Sequence, residues 1–391
     1  MRAPVLHVIP YLWSGAGGVV TRLCEEQARH GPVTIVTTGA SGDQPDWQTY
    51  RTRLRRAGVS HHTIDFYHRD QAVLWTSTVA LARLIAALQP GVIHAHAGVP
   101  AGAAVIARQL SGLAPRLIGQ MYSWGPNRPR WMDDQDLWGL GQCDRVVCSA
   151  EAYWDLLVAG GVPERKLTYL PWGLPLEQLP FRIPRAIPAA APLIGSVGRI
   201  EPRKGQLELV RAFAALRRHC PGARLELVGP IADARYAGRV RAAVRAAGLG
   251  RAVTIAGEVA DAAARVRQWD LFVSMSSDEG QGLAVLEAMA IGVPVLARPV
   301  AGISDFLRNG RTGYTIEGQS TRSAADALAG TLARRGVQAT VRRARRMVER
   351  RIPGRRRPRH SSGSIAADTR HAGRARRDVS RDCCSQSIWR S

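Results

Sequence analysis

Residues 276–297 read SSDEGQGLAVLEAMAIGVPVLA and follow the apolar run DLFVSM at 270–275. A short apolar run closed by a Ser/Asp/Gly cluster predicts a buried strand, Leu283–Ala290 predicts a helix, and PVLAR at 294–298 predicts a second strand. Strand, helix, strand at this spacing means neighbouring parallel strands. The alternation continues on both sides. LIGSVGR (193–199), RLELVG (224–229), VTIAG (253–257) and GYTI (313–316) read as strands, with helices over Gly205–Arg218, Arg239–Ala247, Ala262–Gln268, Ile303–Arg308 and Ser323–Arg335 between and after them.

The first half repeats the pattern. VLHVIP, VTIVTT, GVIHAH, RLIGQ, DRVVCS and KLTYLP alternate with amphipathic stretches over Val19–His30, Ala72–Leu88, Ala101–Leu110 and Ala150–Gly160. Between the halves, prolines 180, 184, 188 and 192 recur every fourth residue, which neither a helix interior nor a central strand tolerates. The expected fold class is therefore α/β, with two Rossmann-like domains facing across a cleft: 1–178, a Pro-rich linker 179–192, and 193–335. Residues 336–391 read as an Arg-rich tail without apolar periodicity after Ile352, hence disordered. Length agrees, since 391 residues suit two ordinary domains.

Composition excludes several classes. Hydrophobic residues at 46% and charged residues at 22% describe a globular chain. No uninterrupted apolar run approaches a membrane span, and the opening MRAPVLHVIPYL reads as a first strand. Six cysteines without CxxC spacing argue against a disulfide framework or structural zinc, so a cytoplasmic location and no metal site are expected. The net charge of +23 invites a nucleic-acid reading. Its distribution opposes that: 18 arginines against four acids between Arg334 and Ser391 account for +14, and the tail lacks interleaved aromatics apart from Trp389. No nucleic-acid partner is expected; a peripheral contact with an anionic membrane, at the inner face of the plasma membrane, suits the tail better.

Ligands of doubly wound sheets sit beyond the carboxyl ends of the strands, so the loops there carry the candidates. Gly15, Gly17 and Gly18 follow the first strand and open a helix whose free amides can hold a phosphate. A dinucleotide is disfavoured, because Val20 stands where a third glycine is wanted and the second strand closes in Thr37-Thr38-Gly39 without an acid. GRIEPRKG (198–205) places Arg199 and Lys204 at a strand end, a guanidinium fork and an ammonium that can grip a diphosphate. Glu279 and Glu287 flank Gly280, Gln281, Gly282 and Leu283; carboxylates suit vicinal hydroxyls, and the backbone amides between them suit phosphates. His94 and His96 end a strand, and His96 is a candidate to polarise a hydroxyl or phosphate.

With Glu279 and Glu287 in an E-x7-E arrangement, the chain resembles retaining GT-B glycosyltransferases of family 4 over residues 5–335. The glycine loop, CDRVVCSAEAYWDLLVAGGVPERKLTYLPWG (143–173), GRIEPRKG and VAGISDFLRNGRTGY (300–314) fit the same family. The resemblance implies that a nucleotide-diphosphate sugar, UDP- or GDP-linked, is the donor substrate and that no further cofactor is needed. It implies that Arg199 and Lys204 hold the diphosphate, Glu279 contacts the transferred sugar, Glu287 binds the ribose, and the first glycine loop closes from the acceptor domain. The acceptor is expected to be a glycan, a lipid-linked glycan or a small molecule. Two positions depart from the family: Tyr122 stands where a histidine is frequent, and Trp172 where an asparagine is usual. The ending departs too, with arginine, proline and serine where a helix crossing back to the first domain is expected, as an altered reading frame or a divergent tail would give. A nucleotide-sugar epimerase and an inactive nucleotide-binding protein are the alternatives. Asp134-Gln-Asp136 matches a metal-binding DxD pattern but has no preceding strand, so a helix face is expected there.

Overall fold

Two all-parallel sheets organise the protein, whose computed structural model describes residues 3–43, 47–68, 70–124, 129–183, 187 and 190–350. The first half contains β1 Val5–Val8, α1 Ser14–Ala28, β2 Val33–Thr37, α2 Trp47–Arg56, β3 Ser60–Thr63, α3 Gln71–Leu88, β4 Val92–His96, α4 Gly98–Leu110, β5 Arg116–Met121, α5 Arg130–Gln142, β6 Arg145–Cys148, α6 Glu151–Ala159 and β7 Leu167–Tyr169. The second contains β8 Leu193–Val197, α7 Gln206–Arg217, β9 Arg224–Val228, α8 Ala234–Ala246, β10 Val253–Gly257, α9 Ala262–Val266, β11 Leu271–Ser274, α10 Leu283–Ile291, β12 Val295–Ala297, β13 Tyr314–Thr315, α11 Thr321–Leu332 and α12 Val337–Glu349.

Strand order is β3-β2-β1-β4-β5-β6-β7 in one sheet and β10-β9-β8-β11-β12-β13 in the other. Each order reverses once, between β1 and β4 and between β8 and β11. At such a reversal the flanking loops diverge to opposite faces and leave a crevice. The glycine loop after β1, GRIEPRKG after β8 and the Glu279 loop after β11 all start at those crevices. Central strands are covered on both faces, and β2 and β11 are buried at every residue, which is why they read as unbroken apolar runs.

Four elements differ from the sequence reading, the first being α2, a helix not expected there. β3 is the polar edge SHHT, with little apolar signal because it is exposed on one side; Thr37 Oγ1 and His61 Nε2 lie 2.9 Å apart across the pair. Ile303–Arg308 forms turns instead of a helix, closed by Thr312, whose hydroxyl donates to the Phe306 carbonyl while accepting from the Arg308 amide. Residues 337–349, assigned from sequence to the disordered tail, form α12. Its Val337, Val341, Ala344 and Val348 are buried, and Arg345 Nη1 donates to the Ala290 and Leu179 carbonyls at 2.6 and 3.2 Å. An arginine-rich helix needs only a narrow apolar stripe to dock, and composition hides such a stripe. The remainder of the tail, like linker residues 184–186, 188 and 189, lies outside the described residues.

Among the described residues one helix, α3, is long and apolar enough to cross a membrane. Here it is the crossover from β3 to β4, capped by Asp70 and packed against α4 through Leu81, Ala82 and Ile85. The DxD pattern lies within α5, where Asp136 is buried against Gly98 of α4 while Asp134 is exposed. Their side chains do not converge on one point.

Candidate functional site

Both sheets point their carboxyl ends at a cavity of about 410 Å³, large enough for a small ligand. Two helices start there, α1 and α10. Neither has a side-chain cap nor an acid in its first turn, so their leading amides are left to a ligand. The glycines predicted to precede α1 lie within its first turn, since the helix begins at Ser14. Gly15 and Gly18 line the cavity; Gly17 does not, and a Cβ there would sit 2.9 Å from the Leu12 backbone, so its role is close packing.

From the second half, Arg199, Lys204, Glu279, Gly280, Gln281, Gly282, Leu283 and Glu287 all line the cavity. Lys204 Nζ is 2.6 Å from Glu279 Oε1, which also accepts from Ser276 Oγ at 2.8 Å. Arg199 donates to Glu201 at 2.9 Å and lies 4.3 Å above the Trp13 ring, contributed by the first half. Glu287 is partly enclosed. Burial raises its carboxyl to about 7 against the opposing pull of Arg22. Gln281 spends its side chain elsewhere, accepting from the Trp172 amide at 2.6 Å and donating to the Trp172 carbonyl at 3.0 Å.

Glycine is required at two of these positions. Gly282, the residue before α10, has φ +65°, and a Cβ at Gly280 would fall 2.2 Å from the Tyr122 carbonyl. The halves therefore touch backbone to backbone beside the cavity. Tyr153 on α6 reinforces that contact, its hydroxyl 2.9 Å from Asp278 Oδ1 and 3.0 Å from the Glu279 carbonyl. Asp305 accepts from the Glu151 amide and the Tyr169 hydroxyl at 2.9 and 3.1 Å.

His96 is not on the cavity surface. Its imidazole is buried behind Tyr122, whose hydroxyl is 2.6 Å from His96 Nδ1 and whose ring does line the cavity, 4.9 Å from that of Trp172. Direct contact of His96 with a ligand is thus blocked by the residue that occupies the departing position. His96 Nε2 meets His7 Nδ1 at 2.9 Å, and His94 packs against both rings. Burial keeps all three imidazoles neutral, lowering His7 to about 4, His94 to about 3 and His96 well below the usual range.

Several lining residues escaped the sequence reading. Arg203 sits between the two cations that were singled out and donates to Asp278 at 3.1 Å; the short helical turn Pro202–Lys204 brings it and Lys204 to one side. Arg22 and Tyr50 line the first-half wall, where Arg53 is held by Glu25 at 2.6 Å. The spacing Gly15, Gly18, Arg22 is three and then four residues, one helix face, and would have pointed to Arg22. His7 had no such signal, because it meets His94 only through the β1–β4 register.

Residues 13–178 match the family described as Glycosyltransferase Family 4, and residues 191–334 match Glycosyl transferases group 1. The D-inositol 3-phosphate glycosyltransferase of Nocardia farcinica is 32% identical over 208 residues, covering 49% of this chain and 46% of that protein. The GDP-mannose-dependent alpha-(1-6)-phosphatidylinositol monomannoside mannosyltransferase of Mycobacterium tuberculosis is 31% identical over 188 residues, 43% of this chain and 47% of that one. The chain thus spans about half the length of these curated relatives. In fold it is similar to Anabaena HepE in complex with UDP and glucose, with a TM-score of 0.74, 16% identity, and coverage of 90% of this chain and 95% of that one.

Proposed function

Because the chain belongs to the family 4, group 1 glycosyltransferases, with one matching segment in each half, we propose that it transfers a sugar from a nucleotide-diphosphate donor to a glycan, lipid-linked or small-molecule acceptor with retention at the anomeric carbon. The observation that carries this reading is the single cavity wall on which Arg199, Arg203, Lys204, the open start of α10 and two carboxylates meet. Departure of a nucleoside diphosphate builds negative charge, and fixed cations with free helix amides stabilise it by several kcal/mol in such sites, about 3–4 for a single donor. Lys204 is held by Glu279. An arriving diphosphate draws the ammonium away and leaves Glu279 free to accept from sugar hydroxyls, while Glu287 takes the ribose diol. On this reading the departing phosphate oxygen takes the acceptor's proton on the same face, so no carboxylate base is demanded.

A UDP- or GDP-sugar fits as donor: the mannosyltransferase relative is named for GDP-mannose and the Anabaena neighbour holds UDP. Tyr122 and Trp172 form the aromatic wall against which a sugar face can pack. A cytoplasmic location, with peripheral contact to an anionic membrane through the arginine-rich end, completes the reading. The test is a thermal-shift panel of UDP, GDP and ADP on the wild type and Glu287→Ala, followed by transfer assays with the matching donor. A nucleotide bound only in the native state at a hundredfold excess over Kd adds about 2.7 kcal/mol. The reading expects one nucleotide to give that shift and the variant to lose it; no shift from any nucleotide, in folded protein, overturns it.

A further inference from the structure

We propose that His7, His94 and His96 form a binding site for a divalent transition ion of the zinc class, set behind the cavity wall and separate from the diphosphate. The argument is geometric and does not depend on glycosyl transfer. One ring nitrogen from each histidine lies within 4.8 Å of the others. His7 comes from the middle of β1, and His94 and His96 from alternate positions of β4, so they share one face of the sheet.

The inward and outward nitrogens have different partners. On the outside, Gln27 Oε1 is 2.7 Å from His7 Nε2, Tyr122 Oη is 2.6 Å from His96 Nδ1, and the Gln120 side chain hydrogen-bonds His94. This is the outer shell that ligating imidazoles need, since an acceptor on the far nitrogen fixes ring orientation and tautomer. His7 Nδ1 and His96 Nε2 face each other at 2.9 Å, and His94 Nε2 is buried with no hydrogen-bond partner, which leaves it available as the third ligand atom. A buried, unpaired ring nitrogen beside two others is costly as a mere packing arrangement. An ion uses all three.

One of the three pairs already has ligand spacing, and His94 has to close the remainder of a separation of at most 4.8 Å. Two imidazole nitrogens each about 2.0–2.1 Å from a shared ion stand roughly 2.9–3.4 Å apart, against 2.9 Å between His7 and His96 here. Since Gln27 Oε1 only accepts, His7 Nε2 carries the proton and His7 Nδ1 is a lone pair, to which His96 Nε2–H donates. On binding, the His96 proton moves to Nδ1 and is accepted by the Tyr122 oxygen, and the phenolic proton turns towards the cavity. No proton is lost and three neutral lone pairs converge. An all-nitrogen set selects zinc, cobalt, nickel or copper and rejects magnesium and calcium, which want oxygen.

The test uses the full chain stripped with a chelator, then titrated with cobalt(II) and zinc(II). The proposal expects about one equivalent retained through dialysis, visible d–d absorption from cobalt, and a raised Tm. His94→Gln should lower affinity by about 100-fold or more, and Gln27→Leu, outside the ligand set, by roughly 10–100-fold. Wild type that retains no ion overturns the proposal without any variant. So does equal retention by His94→Gln, which would place the metal on exposed histidines such as His30 and His62. Should His94→Gln fail to fold, the wild-type cobalt spectrum and the Gln27→Leu shift decide the matter.

Discussion

Across the cavity the second half presents most of the ionisable groups, Arg199, Arg203, Lys204, Glu279 and Glu287, whereas the first half presents Tyr122 and Trp172 beside two arginines, Arg22 and Arg53, with three neutral imidazoles behind Tyr122. The charged wall comes from two loops and one helix start that are short in sequence. The aromatic wall and the imidazoles behind it are assembled from β1, β4 and the segments after β5 and β7, far apart in the chain. On the proposed function, one wall holds a leaving diphosphate by electrostatics and the other shapes what packs against the sugar. The sharpest way to break this division is to compare Lys204→Ala with Tyr122→Phe in transfer assays. Losing the cation should cost about 10²–10³ in kcat, as loss of one donor to a developing anion does. Losing the phenolic hydroxyl should cost no more than about tenfold, with the burden in KM. Equal losses would mean that the walls are not specialised.

That asymmetry also decided what could be read from sequence. Cations and carboxylates beside glycines at strand ends stand out because such loops carry few other constraints, and Arg199, Lys204, Glu279 and Glu287 all line the cavity as read. His96 was chosen by its place at a strand end, and the structure puts it one layer behind, covered by Tyr122. Which layer a strand-end side chain occupies depends on the neighbouring strand, and sequence does not give that. α12 was hidden for a different reason, since its buried stripe is diluted among arginines. Arg203 lies inside GRIEPRKG, but only the local turn Pro202–Lys204 brings it to the cavity side.

Gly280→Ala tests whether the walls must touch. The added Cβ would fall 2.2 Å from the Tyr122 carbonyl, which is backbone and cannot swing aside. Overpacking of this kind costs about 1–3 kcal/mol, and here it acts on the seam between the halves. Nucleotide affinity should fall by roughly 10-fold or more, while circular dichroism keeps the secondary structure of both halves. Unchanged affinity by calorimetry would show that the second-half wall binds alone.

Titration separates the walls without altering either. On the proposed function Glu287, raised to about 7, accepts from both hydroxyls of a ribose diol only when ionised, so nucleotide affinity should climb by up to about tenfold per pH unit between about 5 and 7 and then flatten. Stability of the empty protein should move oppositely. The native state binds more protons than the unfolded state between the carboxyl's ordinary value of 4.5 and about 7, so stability falls as pH rises through that window. Glu287→Gln should abolish both slopes. His7 and His94, at about 4 and 3, stay neutral across the range. An affinity slope surviving unchanged in Glu287→Gln would show that Glu287 does not carry it.

The smallest effect concerns what ties the walls together when no ligand is present. Tyr153→Phe removes one hydroxyl between α6 and the Asp278 loop, yet Asp278 keeps Arg203, so no buried acid is left without a partner. The expected cost is about 1 kcal/mol, read as a lower Tm of the empty protein. A ligand that bridges both walls replaces that tie with stronger ones, so the Tm difference should shrink at saturating nucleotide. A ligand confined to the charged wall leaves the tie as necessary as before, and the difference should persist unchanged. The size of that residual difference therefore measures how far the first half takes part in holding the donor, which the separate variants on each wall cannot do.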